Sequence, residues 1–227
     1  MSLVPSFQER IETMIRRDYF MRMVQEMAQV LARVISLKHR QEYDQAMKEI
    51  STALKDLRDG NSTSPEESTL SDWICLCQKH GAAASGMLVA VANLLKEQGD
   101  MQAIQRGAAA GHSSRSLALG LLLEALLNGE TFVSAELLEK VERLACDTWS
   151  SLADGGVWWR LVRYFEARGR YAQTEDALFA WRETGDLAAV QQGLAFYERM
   201  LAKKDDELAS GNLPRAEVEQ GRREFAG

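Results

Sequence analysis

The chain has little of what most site chemistry needs: its 227 residues include three cysteines and three histidines. An odd cysteine count with no secretory signal ahead of it gives a reducing cytosol as the expected setting, so a cytoplasmic protein is expected. Cys75, Cys77 and His80 form the one cluster of metal-ligand residue types. Residues two apart on a helix point to different sides, whereas zinc takes four converging ligands, so no metal is expected. His112-Ser113-Ser114 places a base beside a hydroxyl in sequence only, which is not the geometry that nucleophilic catalysis requires. Gly155-Gly156 lacks the Lys-Ser/Thr sequel of a phosphate-binding loop. No catalytic constellation and no cofactor site are read. There is no excess of positive charge either: the net charge is −6 and the pI near 5.3, which excludes a nucleic-acid surface built on clustered Lys and Arg. No apolar run reaches the roughly 20 residues that cross a bilayer. The longest, LALGLLLEALL from Leu117, is interrupted by Glu124 and reads as a buried helix. No stretch alternates as a strand would, so the chain reads as all-α.

What is present is helical periodicity. The first helical pattern spans about Pro5 to Lys38, with a break expected near Asp18; Phe20, Met23, Val24, Met27, Val30, Leu31, Val34 and Ile35 form one of its apolar stripes. Four methionines, Met14, Met21, Met23 and Met27, cluster there, as a core or a dimer seam would use them. Its arginines are offset by Glu9, Glu12, Asp18 and Glu26, so membrane-surface binding is not expected. Tyr43, Ala46, Ile50, Ala53 and Leu54 mark the face of a second helix. Asp59 to Pro65 is the strongest loop signal. It divides an N-terminal part (1–58) from a helical body (70–227), with 59–69 as the connecting loop. Thr69-Leu70-Ser71-Asp72 has the form of a capping box, and Gly81 ends the helix it introduces. Met101 to Asn128 reads as one long helix with a kink near Gly107 or Gly111; Ser134 caps the next. Leu187, Val190, Leu194, Tyr197 and Leu201 form the expected stripe of a later helix, and a mostly polar helix closes the chain after Pro214.

The clearest unit is WWRLVRYFEARGRYAQTEDALFAW, Trp158 to Trp181. Trp158, Leu161, Val162 and Phe165 recur at i, i+3, i+4 and i+7, while Trp159, Arg163 and Glu166 hold the opposite face. Arg168-Gly169-Arg170 interrupts the pattern, since glycine takes the positive φ that reverses the chain. Tyr171, Thr174, Ala177, Leu178 and Trp181 share the face of a second helix, completing a hairpin. Leu88, Val91, Ala92, Leu95 and Gly99 repeat the spacing of Trp158 to Gly169 seventy residues earlier, so a second hairpin turning at Gly99 is expected.

The spacing of Trp158, Leu161, Phe165, Gly169 and Tyr171 resembles the tetratricopeptide hairpin, although Val162, Thr174 and Trp181 stand where that motif favours small residues and Asp186 where it favours proline. Together with RRDYFMRMVQEMAQVLARV, EYDQAMKEI and FYERMLAKKDDELASGNLPRAEVEQG, it is similar to a family of uncharacterised bacterial proteins with a tetratricopeptide-like fold. That resemblance implies irregular tetratricopeptide-like helical hairpins forming an α-α superhelix, and no activity. It further implies a groove lined by the first helix of each hairpin: Trp159, Arg163 and Glu166 in the central one, Asn93 and Lys96 in the earlier one. Asn93 and Lys96 fall where some tetratricopeptide proteins hold a peptide's C-terminal carboxylate, while Val89 and Glu97 depart from that pattern. The expected function is protein or peptide binding by a scaffold or adaptor. The alternatives are a homodimer built on the N-terminal helix, or a small-ligand protein or enzyme with a pocket between hairpins.

Overall fold

The computed structural model describes residues 7–58, 68–79, 81, 84–128 and 133–226, and the side chains of the first helix from Arg22 onward. Among the described residues there are eleven α-helices and no strand, so the chain is all-α. It divides into two compact units, Met1–Thr148 and Trp149–Gly227. The loop signal at 59–65 and His80 fall outside the described residues, and the Met14 and Met21 side chains outside the described side chains.

In the first unit, α1 (Phe7–His39) runs on through Asp18 without the expected break. Gln41, at φ +63°, turns the chain into α2 (Tyr43–Leu57). Ala46, Ile50 and Leu54 of α2 are fully buried, and α2 packs on α1 and on α4 (Ala84–Arg106). Packing on α4 thus ties α1 and α2 to the helices beyond residue 69. Met27 is buried and Met23 half-buried. At the start of α3 (Leu70–Gln78) the capping box forms as read: the Asp72 N–H donates to Thr69 Oγ1 (3.2 Å) and the Thr69 N–H to Asp72 Oδ2 (2.9 Å). Trp73 and Cys77 are buried, and Gly81 follows at φ +55°.

The expected turn at Gly99 does not occur. α4 continues through Gly99 to Arg106, and the reversal comes at Gly107, with φ +94°, followed by a short 3-10 turn at Ala108–Gly111. α5 (His112–Leu127) then runs back along α4, and theirs is the most extensive helix pairing among the described residues. The stretch 101–128 is therefore the end of one helix and the whole of another. Gly99 is there for closeness: a Cβ on it would lie 2.8 Å from both the Gly111 carbonyl oxygen and Arg115 Cγ. α5 buries Ala118, Leu119, Leu121, Leu122, Leu123 and Ala125, as its composition required. α6 (Ala135–Thr148) packs on α5, and Ser134 caps it by accepting the Leu137 N–H (3.1 Å).

In the second unit the central hairpin forms at the read positions: α7 (Gly155–Ala167), a turn with Gly169 at φ +70°, and α8 (Tyr171–Glu183). Asp154 caps α7 by accepting the Gly156 and Val157 N–H groups (2.7 and 3.3 Å). Trp158, Leu161, Val162 and Phe165 are buried, as are Tyr171, Thr174, Ala177, Leu178 and Trp181. Next come α9 (Leu187–Leu201), α10 (Asp205–Ser210) and α11 (Arg215–Ala226). The fully buried face of α9 shares Tyr197 with the expected stripe, while Val190, Leu194 and Leu201 are half-buried. Leu187 is 86% exposed, and Ala189, Gly193, Phe196, Tyr197 and Met200 point inward. The reason is Phe225 of α11, whose ring lies where a Cβ on Gly193 would be. The last helix is polar on its outer positions and buries Val218, Gly221 and Phe225.

Candidate functional site

The five sequence candidates fall in both units. In the second, the register that buries Trp158 turns Trp159 to the opposite side of α7, where it is half-buried. Arg163, one turn on, is exposed, with its guanidinium 5.8 Å from the centre of the Trp159 ring. That distance is within the range of a cation–π contact. Neither side chain makes a further hydrogen bond or ion pair among the described residues. Glu166, next along the stripe, is engaged: Arg199 Nε and Nη2 of α9 both donate to its carboxylate at 2.7 Å. Those hydrogen bonds, opposed by partial burial, raise Arg199 above its ordinary value. The pair joins α7 to α9 and sets one edge of the surface that Trp159 and Arg163 present.

In the first unit, Asn93 and Lys96 sit on α4 beside a cleft of about 380 Å³ between α4 and α6, lined by Lys96, Asp100, Glu136, Glu139, Lys140, Arg143, Leu144 and Asp147. Both are in use. Lys140 Nζ reaches from α6 to donate to Asn93 Oδ1 (2.9 Å), and Lys96 Nζ donates to Asp100 (2.7 Å) and Glu97 (3.2 Å). Lys38 of α1 donates to the same two carboxylates, at 2.6 Å to Glu97 and 3.3 Å to Asp100, and Arg115 of α5 donates to Asp100 at 3.0 Å. Burial alone would push Asp100 up, but the hydrogen bonds and charges of Lys96 and Lys38 outweigh it and hold the carboxyl below its usual range. Burial likewise opposes, and these carboxylates reverse, the shift of Lys96, which ends above its ordinary value. Of this network only Lys96 and Asp100, four apart on one helix, had a signature in the sequence. Lys38, Arg115 and Lys140 arrive from other helices.

Of the residues weighed for other chemistry, the described ones are placed as follows. Cys75 is exposed and Cys77 buried, on different sides of α3, and burial pushes the Cys77 thiol up to about 12. The Ser114 hydroxyl donates to Gln102 Oε1 (3.0 Å).

Successive antiparallel helix pairs, two surfaces of polar and aromatic side chains, and no strand among the described residues define an all-α helical-hairpin protein. The chain belongs to a family of unknown function, DUF6483, whose model matches residues 14–226. No curated protein and no solved structure matches it.

Proposed function

We propose that this is a protein- or peptide-binding module of the bacterial cytosol, and that it binds through the outer stripe of α7. The observation that carries this reading is the Trp159–Arg163 pair. A large aromatic ring is half-buried on α7, with the guanidinium of an exposed arginine over it at 5.8 Å. Tryptophan and arginine dominate interface energetics because one flat, rigid group brings both apolar area and directed donors.

The order of helix packing in the second unit supports the reading. α7 packs on α8, α8 on α9, and α7 also on α9, the order in which a first helix meets its own partner and then the first helix of the next pair. In such an arrangement the outer stripe of each first helix lines the shared groove, and the Glu166–Arg199 pair is one link between two of them.

A peptide array probed with the full chain tests the proposal, with wild type beside the W159A/R163A double variant and both checked by circular-dichroism melting. The expected result is a set of peptides held by wild type whose affinity falls at least about thirtyfold in a variant that melts normally, as loss of about 2 kcal/mol implies. An array that retains nothing, or retains the same peptides on both proteins, counts against it.

A further inference from the structure

α11 packs over a carboxylate that has no counter-ion among the described residues. Glu175 of α8 is half-buried, and its Oε1 accepts a hydrogen bond from the Tyr197 hydroxyl of α9 at 2.6 Å. Among the described residues no cation pairs with it. Gly221 of α11 lies directly against this couple, because a Cβ there would overlap both Glu175 Oε1 and the Tyr197 hydroxyl oxygen. Only a residue without a side chain lets α11 sit so close.

The charges around the couple are mostly of its own sign. α8 adds Asp176, and α11 brings Glu217 and Glu224. The nearby cations are occupied elsewhere. Arg182 of α8 lies over the Phe225 ring at 5.1 Å and donates to the Glu224 carbonyl oxygen (2.8 Å), and Arg222 of α11 pairs with Glu198 of α9 (2.6 Å). Burial first, and then the three neighbouring carboxylates, push Glu175 above its usual range; the Tyr197 hydrogen bond offsets this only in part. Burial and Glu175 also raise Tyr197, so the phenol keeps its proton and remains the donor.

We propose that α11 is a pH-dependent latch, docked while Glu175 is neutral and loosened as Glu175 ionises. The direction follows from linkage. A carboxyl that is harder to ionise in the docked state than when exposed stabilises docking at low pH. That contribution is complete below the ordinary carboxyl value of 4.5 and is lost as pH rises through the docked value. α11 is otherwise held by the Arg182 and Arg222 contacts and by an apolar one: Phe225 against Gly193, edge-on to Phe179 at 5.0 Å, and 5.8 Å from the Tyr197 ring. Loosening it uncovers that face of α8 and α9.

Hydrogen exchange of the full chain, followed by mass spectrometry at about pH 5 and about pH 7.5 and corrected for intrinsic exchange, reads the latch directly. The expected result is that protection of the α11 amides falls at least about threefold between the two conditions relative to the α7 amides, and that Glu175→Gln abolishes the fall. A second variant, Glu217→Gln with Glu224→Gln, leaves the buried couple untouched and should raise α11 protection at the higher pH. Equal protection of α11 at both pH values in wild type overturns the proposal. So does an undiminished fall in Glu175→Gln, or, should that variant unfold, an undiminished fall in the second variant.

Discussion

Trp158 and Trp159 are neighbours in sequence and differ in burial, the first buried and the second half-buried. Trp158 is 1% exposed, its Nε1–H donates to the Leu152 carbonyl at 3.0 Å, and its ring meets Trp149 edge-on at 5.0 Å. Removing it opens a cavity and leaves the Leu152 carbonyl without that donor, so Trp158→Ala should cost roughly 3–5 kcal/mol in urea denaturation. Trp159→Ala gives up only partly buried surface and should stay within about 1 kcal/mol. Equal losses from the two substitutions would mean that Trp159 serves the core and is not a contact surface. This contrast was legible in the sequence, because a 3.6-residue period assigns adjacent residues to faces about 100° apart. The state of Glu166 was not legible. Its partner Arg199 lies on another helix, and nothing in the spacing of either residue announces the pair.

At the scale of the helix, the same glycine spacing had two meanings. Gly169 and Gly99 follow their apolar stripes at the same distance, yet Gly169 has φ +70° and turns the chain, while Gly99 stays helical. The difference lies in what faces each one: nothing within 4 Å of a Cβ on Gly169, and the Gly111 carbonyl 2.8 Å from a Cβ on Gly99. Sequence periodicity cannot see the partner, so it could not separate a turn from a close approach. The expected stripe of α9 held at Tyr197 but missed Ala189 and Gly193 for the same reason, since a hydrophobic reading passes over a small residue such as Gly193 that lies beside the bulky Phe225. A pair of substitutions tests this account. Gly99→Ala should destabilise by about 1–3 kcal/mol through overpacking between α4 and the Gly111 turn, despite alanine's better helix propensity. Gly86→Ala is also in α4, but its Cβ would meet Val24 at an ordinary 3.7 Å, so it should stabilise by about 0.5–1 kcal/mol. Melting curves that moved the same way for both would refute close approach as the role of Gly99.

At the scale of the molecule, the two units carry carboxyl groups shifted in opposite directions, and stability should depend on pH differently in each. In the first unit Asp100 is held below its usual value, so it stabilises above the ordinary 3.8, and that share is lost as pH falls through its folded value. In the second unit Glu175 works the other way, giving up its share as pH rises above 4.5. Acid should therefore loosen the α1–α4–α5 network while α11 is held most firmly. Asp100→Asn isolates the first effect, because it removes the carboxylate shared by Lys38, Lys96 and Arg115 and keeps the side chain's size. These groups are partly exposed, so solvent screening brings the expected loss at neutral pH to the order of 1 kcal/mol, or about 2–4 °C in Tm. The gap between wild type and Asp100→Asn should then close as pH drops below about 3.8, where the native carboxylate takes up its proton. Melting curves that stayed equally far apart down to about pH 2.5 would show that Asp100 contributes packing and no charge. The network joins α1, α4 and α5, so hydrogen exchange in acid should show protection falling first where those three helices meet.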